Sequence, residues 1–234
     1  MSAWERLTAE VLACRRCPRL VEWRERVAAE PPRRFRGQEY WARPVPGFGD
    51  RDAAIVLVGL APAANGANRT GRVFTGDRSG DWLYAALHRA GLANQPTSEA
   101  RGDGLRLTGA YVTAVNRCPP PQNMPTPRER DNCLPYLERE LVLLRRARVL
   151  IALGSYAWAN SLRALTALGA EPIRPRPAFG HGAELTVEVP SGRGRRGYEL
   201  LGCFHPSQQN TFTGKLTEQM MDAVFRRAKE LAAD

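Results

Sequence analysis

Short runs of consecutive apolar residues alternate with longer amphipathic stretches along most of this chain. Residues 53–59 and 149–153 are almost entirely apolar, which is typical of strands buried on both faces of a sheet. The pattern predicts strands at 53–59, 110–115, 149–153, 184–190 and 198–204. It predicts helices at 2–13, 18–29, 79–90 and 127–146, a further helix after residue 155, and a closing helix at 215–233.

Local signals mark several of these boundaries. Thr126 and Glu129 form a capping box around a proline at the first helical position, so a helix begins there. Ser79 is the predicted N-cap of the helix that closes at Gly91. Residues 191–197, which read Ser-Gly-Arg-Gly-Arg-Arg-Gly, predict a flexible basic turn between the last two strands.

Strands that alternate with helices predict an α/β sandwich around a mostly parallel sheet, formed by one domain that spans residues 1–234. Ligands of such sheets bind beyond the carboxyl ends of the strands. Three unusual segments fall at these ends: the loops after the first and second strands, and the turn after the last strand. The sequence therefore predicts a functional site at this edge.

Charge points to a polyanionic partner. The chain has 234 residues, a formal net charge of +10 and 34 Lys plus Arg residues, of which only Lys215 and Lys229 are lysines. This excess suggests nucleic acid, although simple solubility explains it too. No apolar run is long enough to span a bilayer, and the first twelve residues lack the core of a signal peptide. We therefore expect a cytoplasmic protein.

The cysteine spacing predicts a metal site. Five cysteines occur, at Cys14, Cys17, Cys118, Cys133 and Cys203. An odd number in a cytoplasmic chain argues against a disulfide framework. A C-x2-C pair with two more distant cysteines supplies four thiolates, which suit zinc or an iron–sulfur cluster equally well. The fifth, Cys203, falls in a predicted strand and is interpreted as a core residue.

Two segments at the carboxyl edge carry candidate chemistry. Residues 59–77 are rich in glycine and alanine, which lets a ligand approach the backbone closely, although an ordinary flexible loop has the same composition. His205 opens the second segment, residues 205–210. A lone histidine after a strand is more often structural, but its expected position near the first loop raises its weight as a functional residue.

These two segments and the four cysteines together resemble the uracil-DNA glycosylase superfamily, and within it the family 5 (type b) enzymes. The resemblance runs from Cys14 to Thr217 and includes residues 40–50, Tyr-Trp-Ala-Arg-Pro-Val-Pro-Gly-Phe-Gly-Asp. It implies a three-layer αβα sandwich around a central, mostly parallel four-stranded sheet. It also implies a 4Fe–4S cluster on Cys14, Cys17, Cys118 and Cys133, and a monofunctional glycosylase reaction on DNA.

The resemblance suggests roles for individual residues. Phe74 resembles the aromatic that stacks on the flipped base, and His205 the histidine that contacts the departing base oxygen. Where other families hold a water-activating polar residue, this loop is apolar, so the resemblance points to Asp77 and Asn123 as the groups near the water and the sugar. Asn123 would orient water, because an amide is not a base. The other implied substrate positions are Gly59, Ala61, Pro62, Ala63, Ala114 and Asn210.

Two further features bear on mechanism and specificity. Lys229 falls in the closing helix and Lys215 is better interpreted as a phosphate contact, so water, rather than a lysine, is the expected nucleophile. Ala114 stands where a neighbouring family has an asparagine that reads the edge of uracil. Asn116, two positions on, is an alternative reader of that edge.

Two other classes of function compete with a glycosylase. A metal-stapled nucleic-acid-binding module explains the charge and the cysteines, but it gives no reason for a histidine and an aspartate to converge at the sheet edge. A redox protein built on residues 14–17 is disfavoured because its motif lies between two helices rather than beside a βαβ unit. The expected partner is DNA with deaminated bases, acted on by a monomer with no membrane contact.

Overall fold

The computed structural model describes residues 1–192 and 194–233. The strands are β1 (Phe48–Gly49), β2 (Ile55–Gly59), β3 (Ala110–Ala114), β4 (Val149–Leu153), β5 (Glu184–Ser191) and β6 (Gly194–Cys203). The helices are α1 (Ala3–Ala13), α2 (Pro18–Ala29), α3 (Ala67–Thr70), α4 (Arg78–Arg89), α5 (Pro127–Leu143), α6 (Ser155–Ala167), α7 (Gln208–Phe212) and α8 (Glu218–Ala233).

The strands form one sheet in the order β1-β3-β2-β4-β6-β5. The four central strands, β3, β2, β4 and β6, are parallel, and β1 and β5 pair antiparallel at the two edges. The predicted α/β class and mostly parallel sheet are confirmed. The predicted number of four strands is wrong, because it counts only the parallel centre of a six-stranded sheet.

Helices cover both faces of the sheet, so the three-layer arrangement is confirmed. Every residue of β2, β3 and β4 is buried, as their apolar runs predicted. One core cluster lies between the sheet and helices α4 and α8, and the other between the sheet and helices α5 and α6. A small third cluster packs α1 against α5.

Helix boundaries follow their capping residues. The capping box of Thr126 with Glu129 starts α5 as predicted. The predicted N-cap Ser79 is wrong: Asp77 caps α4, and its Oδ1 accepts a hydrogen bond of 3.0 Å from the backbone N–H of Gly80. The closing helix begins at Glu218 rather than at residue 215, because the Thr217 hydroxyl caps it by accepting from the N–H of Met220.

The predicted flexible turn at 191–197 is mostly strand. Ser191 pairs with Gly194 across a tight hairpin, so β6 begins four residues earlier than residue 198. Arg193 of the predicted turn lies outside the described residues. No helix within residues 1–192 and 194–233 is both long and apolar enough to cross a membrane.

Candidate active site

A cavity of about 690 Å³ opens at the carboxyl ends of the four parallel strands. The loops after β2, β3 and β6, which the sequence singled out, all reach it, and so does the start of α6 after β4. Its wall contains Leu60, Ala61, Pro62, Ala63, Val73, Phe74, Asp77, Ser79, Ala114, Asn123, Leu153, Gly154, Ser155, Tyr156, Phe179, Phe204, His205, Ser207, Asn210 and Lys215. This volume suits a small organic ligand.

Of the ten residues predicted to contact substrate or take part in catalysis, nine lie in the wall of this cavity. The tenth, Gly59, lies behind the ring of Phe74: a Cβ atom there would stand 2.8 Å from two ring carbons. Phe74 itself has a φ of +50°, a conformation that non-glycine residues seldom adopt. Gly59 therefore does not line the cavity. Its lack of a side chain makes room for the Phe74 ring, which does line it.

His205 is the second residue after the end of β6 and lines the cavity. Its ring centroid lies 5.7 Å from that of Phe74, with 35° between the ring planes. Burial lowers the pKa of the imidazole to about 4, so the ring is neutral at physiological pH and carries one N–H donor. The side-chain amide of Asn210 donates 2.8 Å to the His205 carbonyl oxygen, which holds this turn in place.

Asp77 combines a structural and a chemical position. One carboxylate oxygen caps α4, and the other faces Gly66 so closely that a Cβ atom there would overlap it. Burial raises the pKa of this carboxyl above its usual value. Asp77 is therefore a carboxylate held rigidly at the wall of the cavity in a poorly solvated place.

Asn123 lies at the exposed rim of the cavity. It and Gln122 both have left-handed backbone conformations, with φ of +57° and +56°, which asparagine tolerates better than most residues. Within the described chain, the Asn123 amide makes no protein hydrogen bond, so it is free to bind a ligand or a water molecule.

Ala114 and Asn116 have different surroundings. Ala114 lies in the cavity wall at the end of β3 and presents only a methyl group. Asn116 is fully buried; its amide donates to the Glu129 carbonyl oxygen and its Oδ1 accepts 2.8 Å from the hydroxyl of Tyr156. Asn116 is absent from the wall, so its side chain serves the protein rather than a ligand.

Sequence reasoning missed the start of α6 as part of the site. Gly154, Ser155 and Tyr156 line the cavity, and within the described part of the chain no side chain caps the first N–H groups of this thirteen-residue helix. These N–H groups and the helix dipole favour negative charge in the cavity. The rule that placed the other loops applies equally to β4 and would have found this segment. Phe179, which comes from an irregular segment, gave no sequence signal.

A second, small cavity brings the four predicted ligand cysteines together: Cys14, Cys17, Cys118 and Cys133 all line it. Backbone and side-chain N–H groups point at their sulfurs, with Arg117 N to Cys133 Sγ at 3.2 Å and Asn132 Nδ2 to Cys17 Sγ at 3.4 Å. Within the described residues, no group of three or more His, Cys, Asp or Glu side chains is arranged to hold a metal ion.

The chain matches the family model described as uracil DNA glycosylase superfamily over residues 46–229. That range includes every loop that lines the larger cavity. The chain belongs to the uracil-DNA glycosylase superfamily.

Type-5 members of this superfamily are similar over almost the whole chain, and a type-4 member over a shorter part of it. A type-5 uracil-DNA glycosylase of Mycobacterium bovis is 54% identical over 97% of this chain and 81% of its own length. One of Thermus thermophilus is 51% identical over 97% of this chain and 98% of its own length. A type-4 uracil-DNA glycosylase of Pyrobaculum aerophilum is 35% identical over 58% of this chain and 61% of its own length.

A buried cation lies beside one of the four cysteines of this superfamily member. Arg24 is 2% exposed and donates 3.0 Å to Cys118 Sγ, while its Nε has no hydrogen-bond partner among the described residues. The Glu25 carboxylate lies 3.9 Å away and is itself bound to Arg15. The Arg24 carbonyl accepts from the amide of Asn68, which lies in the loop of the larger cavity. Burial raises the pKa of the Cys118 thiol to about 11, and the neighbouring Arg24 guanidinium opposes this shift.

Proposed function

We propose that this protein is a monofunctional DNA glycosylase that hydrolyses the N-glycosidic bond of uracil, and of other deaminated bases such as hypoxanthine, in base excision repair. The observation that carries the proposal is the convergence of Phe74, His205 and Asp77 on one base-sized cavity, in a chain about half identical to proteins named type-5 uracil-DNA glycosylases. The net charge of +10 supports DNA as the substrate.

The damaged base enters the cavity by leaving the DNA stack, at a cost of a few kcal/mol. The ring of Phe74, fixed over Gly59, offers a flat apolar face on which the base stacks. Because that ring leans towards His205 at 5.7 Å, a stacked base lies within reach of the imidazole. Phe74 thus binds the base, and His205 contacts its polar edge.

Bond cleavage leaves the electron pair of the C1′–N bond on the base and a cationic, oxocarbenium-like sugar. The neutral His205 donates its N–H to the base oxygen on which negative charge accumulates. The uncapped N–H groups at the start of α6 add a fixed positive potential on the same side. Both groups are in place before the reaction, so they stabilise the transition state without reorganising.

Water completes the reaction at C1′. Asp77 places a negative charge near the cationic sugar, and the free amide of Asn123 orients the attacking water. The water forms the new C–O bond, and its proton passes to the Asp77 carboxylate or to solvent. The raised pKa of Asp77 makes it a better proton acceptor than an exposed aspartate.

The cavity wall supports a substrate range wider than uracil. A site rejects a wrong base chiefly when its own buried polar groups are left unpaired. Ala114 offers no such group, and Asn116 is already bonded to Tyr156 and Glu129. The remaining wall at residues 61–63 is small and apolar. A purine such as hypoxanthine therefore meets little penalty beyond its size.

The test is an alkali-cleavage assay on end-labelled duplexes that carry uracil, hypoxanthine, xanthine, thymine or an undamaged base. The proposal predicts strand breaks at uracil and at one purine deamination product or more, and only after alkali. It also predicts no covalent adduct with borohydride, although Lys215 lines the cavity. Breaks without alkali together with a trapped adduct would assign a lyase; intact DNA at every base would assign a binding module.

The four-cysteine cavity supports a second part of the proposal: these thiolates hold a 4Fe–4S cluster. Bound there, the cluster would supply a covalent crosslink between the α1–α2 turn, the loop after β3 and helix α5. The chain supplies four sulfurs in one cavity, N–H donors directed at two of them and the buried cation of Arg24 beside a third. Cationic and N–H surroundings of this kind stabilise an anionic cluster.

Metal analysis of anaerobically purified protein tests this part. We expect iron and acid-labile sulfide in cluster proportions and a brown colour. Cys14→Ala and Cys133→Ala should lose the colour. Cys203→Ala should keep it, because Cys203 lies in β6 and does not line the four-cysteine cavity. Zinc in place of iron would overturn the cluster.

A further inference from the structure

A third concave surface, of about 390 Å³, lies at the amino ends of the parallel strands, whereas the candidate active site lies at their carboxyl ends. Five arginines line it: Arg145, Arg146, Arg148, Arg195 and Arg196. We name them the amino-edge arginine cluster, because they adjoin the amino ends of β2, β4 and β6. The five residues of β4 separate this cluster from the active-site cavity by about 16 Å.

The cluster has a large excess of positive charge. Only Arg195 has an ion pair within the described chain, with Glu188 at 2.8 Å. Arg145, Arg146 and Arg148 are exposed and make no side-chain hydrogen bond to any described residue. Four of the five guanidinium groups thus lack a carboxylate partner among residues 1–192 and 194–233.

Arg196 gives this surface a fixed centre. Its Nε and Nη2 donate to the Ala147 carbonyl oxygen at 3.2 and 2.7 Å, and Nη2 also donates to the Leu144 carbonyl oxygen. Its guanidinium stacks over the ring of Tyr198 at 4.8 Å. Burial lowers the pKa of this group, and the charge of Arg148 lowers it further. An anion bound between Arg148 and Arg196 would relieve the repulsion between their positive charges.

The lining indicates which anion binds. The other residues of the concave surface are Ala54, Ala147, Gly197 and Ala232, so no large apolar side chain is offered. Protein partners are held mainly by aromatic and other large anchors in pockets. Arginine side chains can bind nucleic acids through the phosphates, with release of counterions, and need no apolar anchor beside them. Exposed guanidinium groups on a wall of alanine and glycine therefore fit a phosphodiester backbone better than an acidic peptide.

We propose that the amino-edge arginine cluster binds the phosphate backbone of a second DNA segment, while the active-site cavity holds the first. A duplex that places a base in the active-site cavity lies across the carboxyl edge and leaves the amino edge facing away from it. The protein can then bridge two duplexes and pass between them without first returning to solution. This site goes beyond the proposed chemistry, and it does not depend on which base is excised.

Energy transfer between two undamaged duplexes, one with a donor dye and one with an acceptor, tests the bridging. The cluster variant carries Arg145→Gln, Arg146→Gln and Arg148→Gln. The matched control carries Arg33→Gln, Arg106→Gln and Arg163→Gln, which removes the same charge from three exposed arginines on separate elements. All six side chains are exposed, so both variants should unfold at the temperature of the original protein.

We expect the original protein and the control to bridge the duplexes, and the cluster variant to bind the second duplex at least about tenfold more weakly at moderate salt. Single-turnover excision on one short duplex should be unchanged in all three proteins, so a failure of the proposed activity is seen separately. Equal bridging by the cluster variant, or one duplex bound per protein, would overturn the site. Binding of poly-glutamate there in place of a second duplex would assign an acidic peptide and overturn it too.

Discussion

The hydroxyl of Tyr156 donates a hydrogen bond of 2.8 Å to the side-chain oxygen of Asn116. Tyr156 lies in the wall of the active-site cavity, whereas Asn116 is fully buried behind it. A second bond runs from the Asn116 amide to the Glu129 carbonyl oxygen. Both ends of the Asn116 side chain are therefore already bonded within the protein. In the proposed function, the edge of the base is therefore left to His205, to Ala114 and to the backbone.

Removing the Tyr156 hydroxyl tests whether the Asn116 side chain has a structural role rather than a role in reading the base. Tyr156→Phe leaves the buried Asn116 oxygen without its donor, and we expect the protein to lose about 1–3 kcal/mol of unfolding free energy. The ratio of uracil to hypoxanthine excision should stay the same. Urea unfolding measures the first quantity and single-turnover kinetics the second. A changed ratio with unchanged stability would make Asn116 a reader of the base.

Base selectivity should respond to Ala114. Ala114→Asn adds an amide to the wall, with one hydrogen-bond acceptor and one donor group. The edge of uracil can bond to both of these, whereas the edge of hypoxanthine matches them less well. We expect the ratio of single-turnover rates to shift towards uracil. Ala114→Val adds bulk without polarity, so it separates the effect of size from that of hydrogen bonding. If the original protein excises uracil alone, another group reads the base and the account of Ala114 is wrong.

Two substitutions at Asp77 separate its cap from its charge. Asp77→Asn keeps a good N-cap for α4 and removes a carboxylate whose pKa is raised by burial. A raised pKa in the folded state makes the ionised form destabilising at neutral pH, so Asp77→Asn should unfold at the same or a higher temperature. Asp77→Ala should lose about 1 kcal/mol with the cap.

Both Asp77 variants should slow the chemical step in single-turnover assays. The stability of Asp77→Asn is the control, because it shows that the lost rate does not come from a lost helix cap. Undiminished excision by Asp77→Asn would leave Asp77 with the structural role alone.

The pH profile should contain no titration of His205 near neutrality. Its pKa is lowered from 6.5 to about 4 by burial, so the neutral donor form prevails at all higher pH values. A lowered histidine pKa means that the unfolded chain binds more protons between these values, so this contribution to stability is present above 6.5 and lost as pH falls towards 4. A rate that declines above about pH 6.5 in the original protein but not in His205→Gln would show a required imidazolium.

Much of the fold and of the site could be predicted from the sequence. The all-apolar runs of β2 and β4 identified parallel strands, and the loops after β2, β3 and β6 identified the cavity. The four cysteines, which are spread from Cys14 to Cys133 in the sequence, were grouped by residue type and lie around one cavity. In these cases the residue types alone are informative, and no information on distances in space is needed.

Other features depend on packing that local sequence does not encode. β1 is only two residues long and exists because it pairs with β3. Asp77 outcompetes Ser79 as the cap of α4 because its carboxylate reaches the N–H of Gly80. The amino-edge arginine cluster joins residues about fifty positions apart through the pairing of β4 with β6.

The most direct test of the account is single-turnover excision of uracil by His205→Ala, with the affinity for uracil-containing DNA measured alongside. Loss of one preorganised electrostatic donor should slow the chemical step by roughly 10²–10³. DNA binding should remain nearly unchanged, because His205 lies inside the cavity and phosphate contacts supply most of the affinity for DNA. His205→Gln, which keeps an N–H donor, should recover part of the rate. A rate near that of the original protein for His205→Ala would contradict the central claim that this imidazole stabilises the departing base.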